Sequence, residues 1–568
     1  MVEENYSEFV TSVQSLLREG NTVHALIIFS DNKNSSEVKN NSWDLIPVIS
    51  EFLTTFHEKE NLEVFKCCEQ LINTIATSSN PEEALLQFIE EIEESVDDTK
   101  FLILLGPLQK ILFRIPKNRI NSLAWCLNAV QTYLCKCNIP EDVTLVGKEK
   151  LLMDSDEVVQ RIIKLYSGLM PFYDGLIEKL EASSEDVQER SNVICKFLVQ
   201  LLGKPLAFLD MEIFCGIKKV KALIFAENLV SKIFKTMSDP FLLLEMCYGS
   251  ESNELMKPNT LGTSVLFYLL YSEEICIVKV PKVYNPLYIF QNSLYLITSL
   301  LEIDHQMCIE KGLRLMSTLL EHVKFLELSY LLLDSENHSK FSIALSKIII
   351  YNQLESIRKS ALNIYQTYIN SFEIRGFYLL LYNLTITLNH SGLVGFSITQ
   401  YKNQLAQEFL KREHEMSIYF KGPKLLKILR VFCSLYKNEE SDLIELSHQI
   451  IATLNLLRYL VLRDRNNTTQ IWDYIKLLEV IYFKPLRKGI ELSRAHYELK
   501  VKELEEETAS GDKDKSASTK VSIMIGGQSL LDMPKNDKLN VLHSSLTAFD
   551  MMDSLLSRVI ECIETYKH

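Results

Sequence analysis

Apolar residues recur at steps of three and four along much of the chain, which is the spacing of amphipathic helices. One stripe consists of Leu354, Ile357, Ala361, Ile364 or Tyr365, and Tyr368. A second stripe follows Ser391 and consists of Val394, Ile398, Tyr401, Leu405 and Phe409. Each stripe predicts a helix with one covered face, and similar segments occur in both halves of the chain.

The spacing of these helices predicts the fold class. If Cys308, Leu354, Ser391 and Leu446 approximate the starts of successive second helices, the intervals are 46, 37 and 55 residues. These intervals bracket the helix-pair period of HEAT and armadillo repeats. The period alone leaves an irregular all-α bundle open, but local helix pairing over this length favours a solenoid. We therefore predict an all-α, irregular HEAT/armadillo-like helical-repeat solenoid in two halves.

Two interruptions predict the domain limits. Glycine and proline break the helical pattern between Tyr248 and Tyr288, so we place a junction at 251–288, between an N-terminal half (1–250) and C-terminal repeats (289–504). Residues 505–520 are polar and predict a disordered loop. In the terminal segment, 521–568, we expect a hairpin turning at Gly526-Gly527 and a capping helix from about Pro534. The stripe of that helix is Leu539, Leu542, Leu546, Phe549, Met552, Leu556, Ile560 and Ile563.

Composition excludes several classes of protein. The 568 residues include only 18 glycines and 14 prolines, which favours helices over an all-β fold. A net charge of −14 argues against nucleic acid as a partner, because phosphate binding needs a cationic surface. No run of eighteen apolar residues and no basic, apolar leader occurs. We therefore expect a soluble, cytoplasmic protein that does not bind membranes.

The sequence lacks the common motifs for metal binding, cofactor binding and catalysis. The twelve cysteines form no paired CxxC framework, and the eleven histidines show no ligand spacing, so we expect no metal. Phosphate-binding loops, GxGxxG and GxSxG are also missing, so we expect no cofactor and no enzymatic activity. A long helical array without such motifs favours binding to other proteins.

A polar row on the helix after Ser391 is the candidate binding surface. A helical wheel puts Gln400, Asn403, Gln407 and Lys411 opposite the apolar stripe, with Lys402 and Gln404 beside them. The segment from Gln400 to Arg430 contains seven basic and three acidic residues, which gives it a local charge of +4. An ordinary solvated helix pair would have the same pattern. If the row binds a partner, its amides and cations can donate to carbonyls and carboxylates.

An ordered set of segments resembles the glomulin family, HEAT-like helical proteins that bind the RING subunit of cullin-RING ubiquitin ligases. The segments are SWDLIPVI, NPEEALLQFIEEIEE, LLGPLQKIL, NPLYIFQ, NHSGLVGFSITQYKNQL, GPKLLKIL, IATLNLLRYLVLRD, FKPLRKGIELSRAHYE and LHSSLTAFDMMDSLLSRV. The resemblance covers nearly the whole chain and is densest after Asn285. It implies an inhibitor whose C-terminal repeats cover the RING surface that receives the ubiquitin-conjugating enzyme.

The resemblance also implies which residues contact the RING subunit and, through it, the cullin. The matching positions are Asn389, His390, Ser391, Lys402, Asn403, Gln404, Lys411, Arg412 and Arg458, to which the polar row adds Gln400. For Arg458 and the adjacent Tyr459, which also matches, packing between helices is the alternative role. One inserted residue between Gln404 and Lys411 departs from the family pattern and rotates the basic pair by about 100° on a helix. The N-terminal half would support these repeats or bind immunophilins, which are associated with the family. The alternative is a general helical-repeat adaptor for another protein complex.

Overall fold

The structure is a computed structural model that divides into two compact units, Met1–His322 and Val323–His568. The residues it describes are 7–31, 33–115, 119–141, 147–181, 187–213, 220–244, 259–323, 327–388, 390–411, 415–509, 524–525, 528–529 and 535–566.

Both units consist of α-helices. Those of the N-terminal unit are α1 (Glu8–Arg18), α2 (Thr22–Ser30), α3 (Ser35–Asn40), α4 (Ser42–Ser50), α5 (Thr55–Glu60), α6 (Leu62–Ser78), α7 (Pro81–Glu94), α8 (Asp98–Arg114), α9 (Arg119–Cys135), α10 (Glu157–Glu181), α11 (Val187–Leu201), α12 (Lys221–Thr236), α13 (Thr260–Tyr271), α14 (Pro286–Leu301) and α15 (Gln306–Glu321). Those of the C-terminal unit are α16 (Glu336–Tyr351), α17 (Glu355–Ser371), α18 (Ile374–Thr387), α19 (Ser391–Glu408), α20 (Gly422–Phe432), α21 (Ser447–Arg463), α22 (Ile471–Leu478), α23 (Lys484–Ala509) and α24 (Lys535–Tyr566).

Short elements connect the helices. The 3₁₀ segments are Gly147–Ser155, Leu206–Phe208, Ile277–Lys279, Tyr330–Asp334, Ile418–Phe420 and Asn438–Glu440, and a π-helical turn, Glu479–Phe483, joins α22 to α23. Two strands of two residues, β1 (Met524–Ile525) and β2 (Gln528–Ser529), pair antiparallel. This pairing confirms the predicted hairpin, and its turn residues Gly526-Gly527 lie outside the described residues.

Local sequence determines where several helices begin. The side chain of Asn80 accepts a hydrogen bond of 3.2 Å from the backbone N–H of Glu82, and Pro81 is the first residue of α7. The side chain of Asn285 likewise accepts a hydrogen bond of 2.9 Å from the backbone N–H of Leu287, and Pro286 is the first residue of α14. Asparagine at the cap satisfies a free N–H, and proline at the first helical position lacks one. Both helices therefore start where the sequence sets a boundary.

The helices predicted as the second members of their pairs are found in the structure, one at the end of the N-terminal unit and three in the C-terminal unit. These helices are α15, which begins at Gln306, α17 at Glu355, α19 at Ser391 and α21 at Ser447. Within the C-terminal unit α19 packs on α21, and α21 packs on the terminal helix α24, while the first helices α18 and α20 pack on each other. The all-α helical-repeat fold class is therefore confirmed.

The limits of the units and the polar loop differ from the sequence predictions. The division falls after His322, because α13 and α14, on either side of the segment at 277–285 that contains Pro281, pack on each other. Prolines break a helix there without separating domains. Helix α23 continues to Ala509 into the predicted loop at 505–520, since its glutamates are good helix formers. Residues 510–520 lie outside the described residues.

The terminal helix has the predicted apolar stripe. Within the described residues it spans Lys535–Tyr566, and the predicted start at Pro534 lies outside them. Of its predicted stripe, Leu542, Phe549, Met552, Leu556 and Ile563 are buried. The ring of Phe549 packs edge-on against Tyr497 of α23 at a centroid distance of 5.2 Å.

Candidate functional site

Helices α19 and α21 lie side by side and run in the same direction. At their starts the Ser391 hydroxyl accepts a hydrogen bond of 3.1 Å from the backbone N–H of Gln449. At their ends the rings of Phe409 and Tyr459 are 6.1 Å apart. Gly395 permits the close approach, since a Cβ there would lie 2.7 Å from the backbone oxygen of His448. Two second helices thus present neighbouring exposed faces.

The apolar stripe of α19 points into the core as predicted. Ile398, Tyr401 and Leu405 have no exposed surface, and the Tyr401 hydroxyl donates a hydrogen bond of 3.1 Å to the backbone oxygen of Tyr419. Asn403 and Gln407 are exposed and Lys402 is half-buried. These three residues form the exposed face of α19.

Gln400 and Gln404 are a correction to the predicted polar row. Only 5% of Gln400 and 7% of Gln404 is exposed, so neither belongs to the accessible surface. Helix α19 is covered over more than its apolar stripe, because it packs on both α18 and α21. Leu393 and Ser397 are buried on the same side of α19 as these two glutamines. The wheel underestimated the width of the buried face.

The predicted turn before α19 has a structural role. The His390 ring accepts a hydrogen bond of 3.2 Å at Nδ1 from the backbone N–H of Leu393, which caps the helix. Burial, and then the charge of neighbouring His448, lower the pKa of His390. A neutral ring is the form that can accept this bond. Ser391 joins α19 to α21, as described above, and Asn389 lies outside the described residues.

Of the predicted basic pair, Lys411 and Arg412, the structure describes only Lys411. Lys411 is exposed and forms an ion pair with Glu408, a carboxylate with no exposed surface. The other oxygen of Glu408 accepts a hydrogen bond of 2.8 Å from the backbone N–H of Ser417. Lys411 therefore neutralises a buried acid as well as adding to the surface charge. Arg412 lies outside the described residues.

Arg458 and Tyr459 lie on the neighbouring helix α21 and are half-buried. The Nε atom of Arg458 is enclosed and has no hydrogen-bond partner within the described part of the chain. Asn455, one turn earlier, is also half-buried, and sequence reasoning missed it. The signal was available, since positions three apart on a helix share a face. We define the α19–α21 surface as Lys402, Asn403, Gln407, Lys411, Asn455, Arg458 and Tyr459.

Part of the local positive charge belongs to another helix. Lys427 lies 4.4 Å above the ring of Tyr382, and Lys424 lies 5.9 Å from the ring centre of Tyr419. Both lysines are on the first helix α20, where cation–π contacts hold them. The predicted charge of +4 is thus shared between two helices and is smaller on the α19–α21 surface.

Possible metal ligands are dispersed over the described ranges. No three His, Cys, Asp or Glu side chains converge there as metal ligands. Cys67 and Cys68 are buried in α6, and burial raises the pKa of both thiols. None of the helices that the structure describes has both the length and the apolar composition needed to cross a bilayer.

The fold and this surface define an all-α helical-repeat protein. Residues 2–241 and 248–545 match the model of a family described as "Uncharacterised protein family, YAP/Alf4/glomulin", and the chain belongs to this family. Among curated proteins it is similar to glomulin from Homo sapiens, with 30% identity over 99% of this chain and 94% of the relative. Glomulin from Mus musculus is 29% identical over the same shares.

Proposed function

We propose that this protein inhibits cullin-RING ubiquitin ligases by binding their RING subunit through its C-terminal unit. The observation that carries the proposal is the similarity to glomulin, which extends over 99% of the chain without truncation of either unit. The RING subunit is the direct partner, and the cullin is bound through it. The inhibitor makes and breaks no covalent bond, so it needs neither a catalytic residue nor a cofactor.

The α19–α21 surface is the proposed docking face. Lys402, Lys411 and Arg458 give it a positive charge, and Asn403 and Asn455 add amide donors and acceptors. Such groups orient a partner and speed its approach, while buried aromatic contacts supply most of the affinity. Tyr459 is the aromatic residue of this surface, and its ring already packs against Phe409.

Steric exclusion accounts for inhibition. The complex of a RING domain with its conjugating enzyme is transient, and transient interfaces are at the small end of the size range. A helical-repeat face can bury about 1,600 Å² or more. A blocker of nanomolar affinity has a binding free energy of about −12 kcal/mol. At equal concentration it would occupy the RING subunit about a thousandfold more than a competitor of micromolar affinity.

A reconstituted ligase assay tests the proposal. Purified protein added to a neddylated cullin-RING ligase should suppress ubiquitin chain formation, while thioester charging of the conjugating enzyme continues. A general adaptor would leave both reactions unchanged, and that result would reject the inhibitor proposal. Loss of charging as well would indicate an effect on the enzyme rather than on the RING subunit.

Three variants locate the docking face. Arg458→Ala should weaken inhibition, and Arg458→Lys should recover only part of it, because lysine keeps the charge but lacks the planar fork of donors. Lys476→Ala is the matched control, since Lys476 is exposed on the first helix α22 of the same unit. Equal inhibition by Arg458→Ala and Lys476→Ala would remove Arg458 from the docking face.

A further inference from the structure

A cavity of about 360 Å³ opens beside the N-terminal ends of α19 and α21. This volume is within the range of ligand pockets, about 300–1,000 Å³. Leu388, Val394 and Leu446 form apolar walls, and the ring of Tyr436 lies at the edge. The cavity is built entirely from the C-terminal unit and is separate from the α19–α21 surface.

Its polar lining is rich in hydrogen-bond acceptors. Glu440 and Glu445 line the cavity, and neither carboxylate has an ion-pair partner in the described parts of the chain. Gln449 is 95% buried and also lines it. The Gln449 amide nitrogen donates a hydrogen bond of 3.1 Å to the backbone oxygen of Phe432. No described residue donates a hydrogen bond to its Oε1, which is therefore available as an acceptor where Gln449 lines the cavity.

Three backbone donors near the cavity are already engaged within the fold. The N–H of Leu393 donates to His390, the N–H of Gln449 donates to Ser391, and the N–H of Glu445 donates to Asp442 at 3.1 Å. Each of the two helix N-termini therefore has one first-turn N–H group bound to a side chain of the fold.

The charge of the lining favours a cation. Three carboxylates, those of Glu440, Asp442 and Glu445, line the cavity together with a single ammonium group, that of Lys437. An anion entering here would meet repulsion from the carboxylates. A cation would find unpaired acceptors.

We propose that this cavity binds an arginine side chain of a protein partner. A guanidinium group carries five donors in a plane and suits several acceptors at once, here the two glutamates and Gln449 Oε1. The aliphatic part of the side chain would lie against the apolar walls. Lysine fits less well, because its compact charge is more strongly hydrated. The site is independent of the proposed ligase inhibition, and its test contains no ligase.

Methyl NMR of the full-length chain tests the site with a defined probe, N-acetyl-arginine N-methylamide. The methyl signals of Leu388, Val394 and Leu446 should shift in a saturable way at up to about 20 mM probe, which covers millimolar dissociation constants. The citrulline analogue has the same shape without charge and should leave them unshifted. Free arginine should bind more weakly than the capped probe, because its own carboxylate is repelled by the lining.

Variants complete the test. Glu440→Gln with Glu445→Gln should weaken binding of the arginine probe at least about fivefold. Glu491→Gln with Glu498→Gln removes the same charge from exposed positions of α23 and should leave binding unchanged. Equal shifts with the citrulline analogue, no shift with the arginine probe, or unchanged affinity in the first double variant would each overturn the proposal. Ligase inhibition that fails while arginine binding persists would reject only the proposed function.

Discussion

The buried carboxylate of Glu408 accepts a hydrogen bond of 2.8 Å from the backbone N–H of Ser417. Glu408 is the last residue of α19, and Ser417 caps the 3₁₀ segment Ile418–Phe420 that precedes α20. The second oxygen of Glu408 pairs with Lys411. This acid therefore fixes the connection between the second helix of one pair and the first helix of the next.

Glu408→Ala should lower the free energy of unfolding of the C-terminal unit by about 2–3 kcal/mol, because it leaves the half-buried N–H of Ser417 without its acceptor and removes the ion pair with Lys411. Glu408→Gln should cost less, since an amide oxygen can still accept from Ser417. Trp472 is the one tryptophan of this unit, so urea unfolding followed by its fluorescence in a Trp43→Phe, Trp125→Phe background measures the effect. Glu440→Ala, at an exposed position, is the control, and an equal loss in both variants would contradict the prediction.

Gly395→Ala should separate α19 from α21. The added Cβ would lie 2.7 Å from the backbone oxygen of His448, a backbone atom that cannot move aside alone. We expect a loss of about 1–3 kcal/mol, as for other overpacked contacts between elements. Calorimetry of the full-length chain measures it.

The matched control for Gly395 is Gly106→Ala in α8. A Cβ at Gly106 meets no atom within 4 Å. Alanine is the better helix former, so this change should be neutral or stabilise the chain by up to about 1 kcal/mol. Similar destabilisation by both changes would show that close packing at Gly395 is not the cause.

The order and type of the helices could be predicted because they depend on local pattern. The stripe of Ile398, Tyr401 and Leu405, the start of α21 near Leu446 and the terminal helix all follow from apolar spacing within one segment. Gln400 and Gln404 could not be placed in this way. Their burial depends on which neighbours cover the flanks of α19, and those neighbours come from distant parts of the sequence.

Roles of single residues at the candidate site were hidden for the same reason. His390, Ser391 and Lys411 read as exposed polar residues, yet each has a partner in the fold: Leu393, Gln449 and Glu408 respectively. A hydrogen bond over 58 positions, such as that of Ser391, has no local signature. Asn455 could have been found from its spacing to Arg458, but only once α21 was known to expose that side.

Acid should destabilise the C-terminal unit through His338. This ring is buried, with Nδ1 2.8 Å from the Tyr368 hydroxyl, and burial lowers its pKa to about 4. The folded state therefore favours the neutral ring, so the stability that it contributes is complete above the unfolded pKa of 6.5. It is lost progressively as pH falls from 6.5 toward 4, with a cost of about 2 kcal/mol at pH 5.

The variant His338→Gln isolates this contribution. Glutamine does not titrate, and it can accept the Tyr368 hydrogen bond, so the difference in unfolding free energy between variant and parent should narrow by about 2 kcal/mol from pH 7.5 to pH 5. Urea unfolding followed through Trp472 gives both values. A difference that is constant over this range would mean that His338 does not control the acid sensitivity of the unit.

The KNQ segment of α19 consists of Lys402, Asn403 and Gln404, of which only Gln404 is buried. Substitutions at the accessible and the buried residues should therefore differ in their effect on RING binding. Lys402→Ala and Asn403→Ala alter accessible side chains, so they should weaken binding to an isolated RING subunit by about 1 kcal/mol each and leave the unfolding midpoint within error. Gln404→Ala removes a buried side chain, so it should lower the midpoint and affect RING binding only as far as it unfolds the unit. Calorimetric titration and urea unfolding of the same samples, with Lys476→Ala as control, measure both quantities.

Weaker RING binding by Gln404→Ala at an unchanged midpoint would show that Gln404 contacts the partner. Unchanged binding by Lys402→Ala and Asn403→Ala would remove α19 from the docking face.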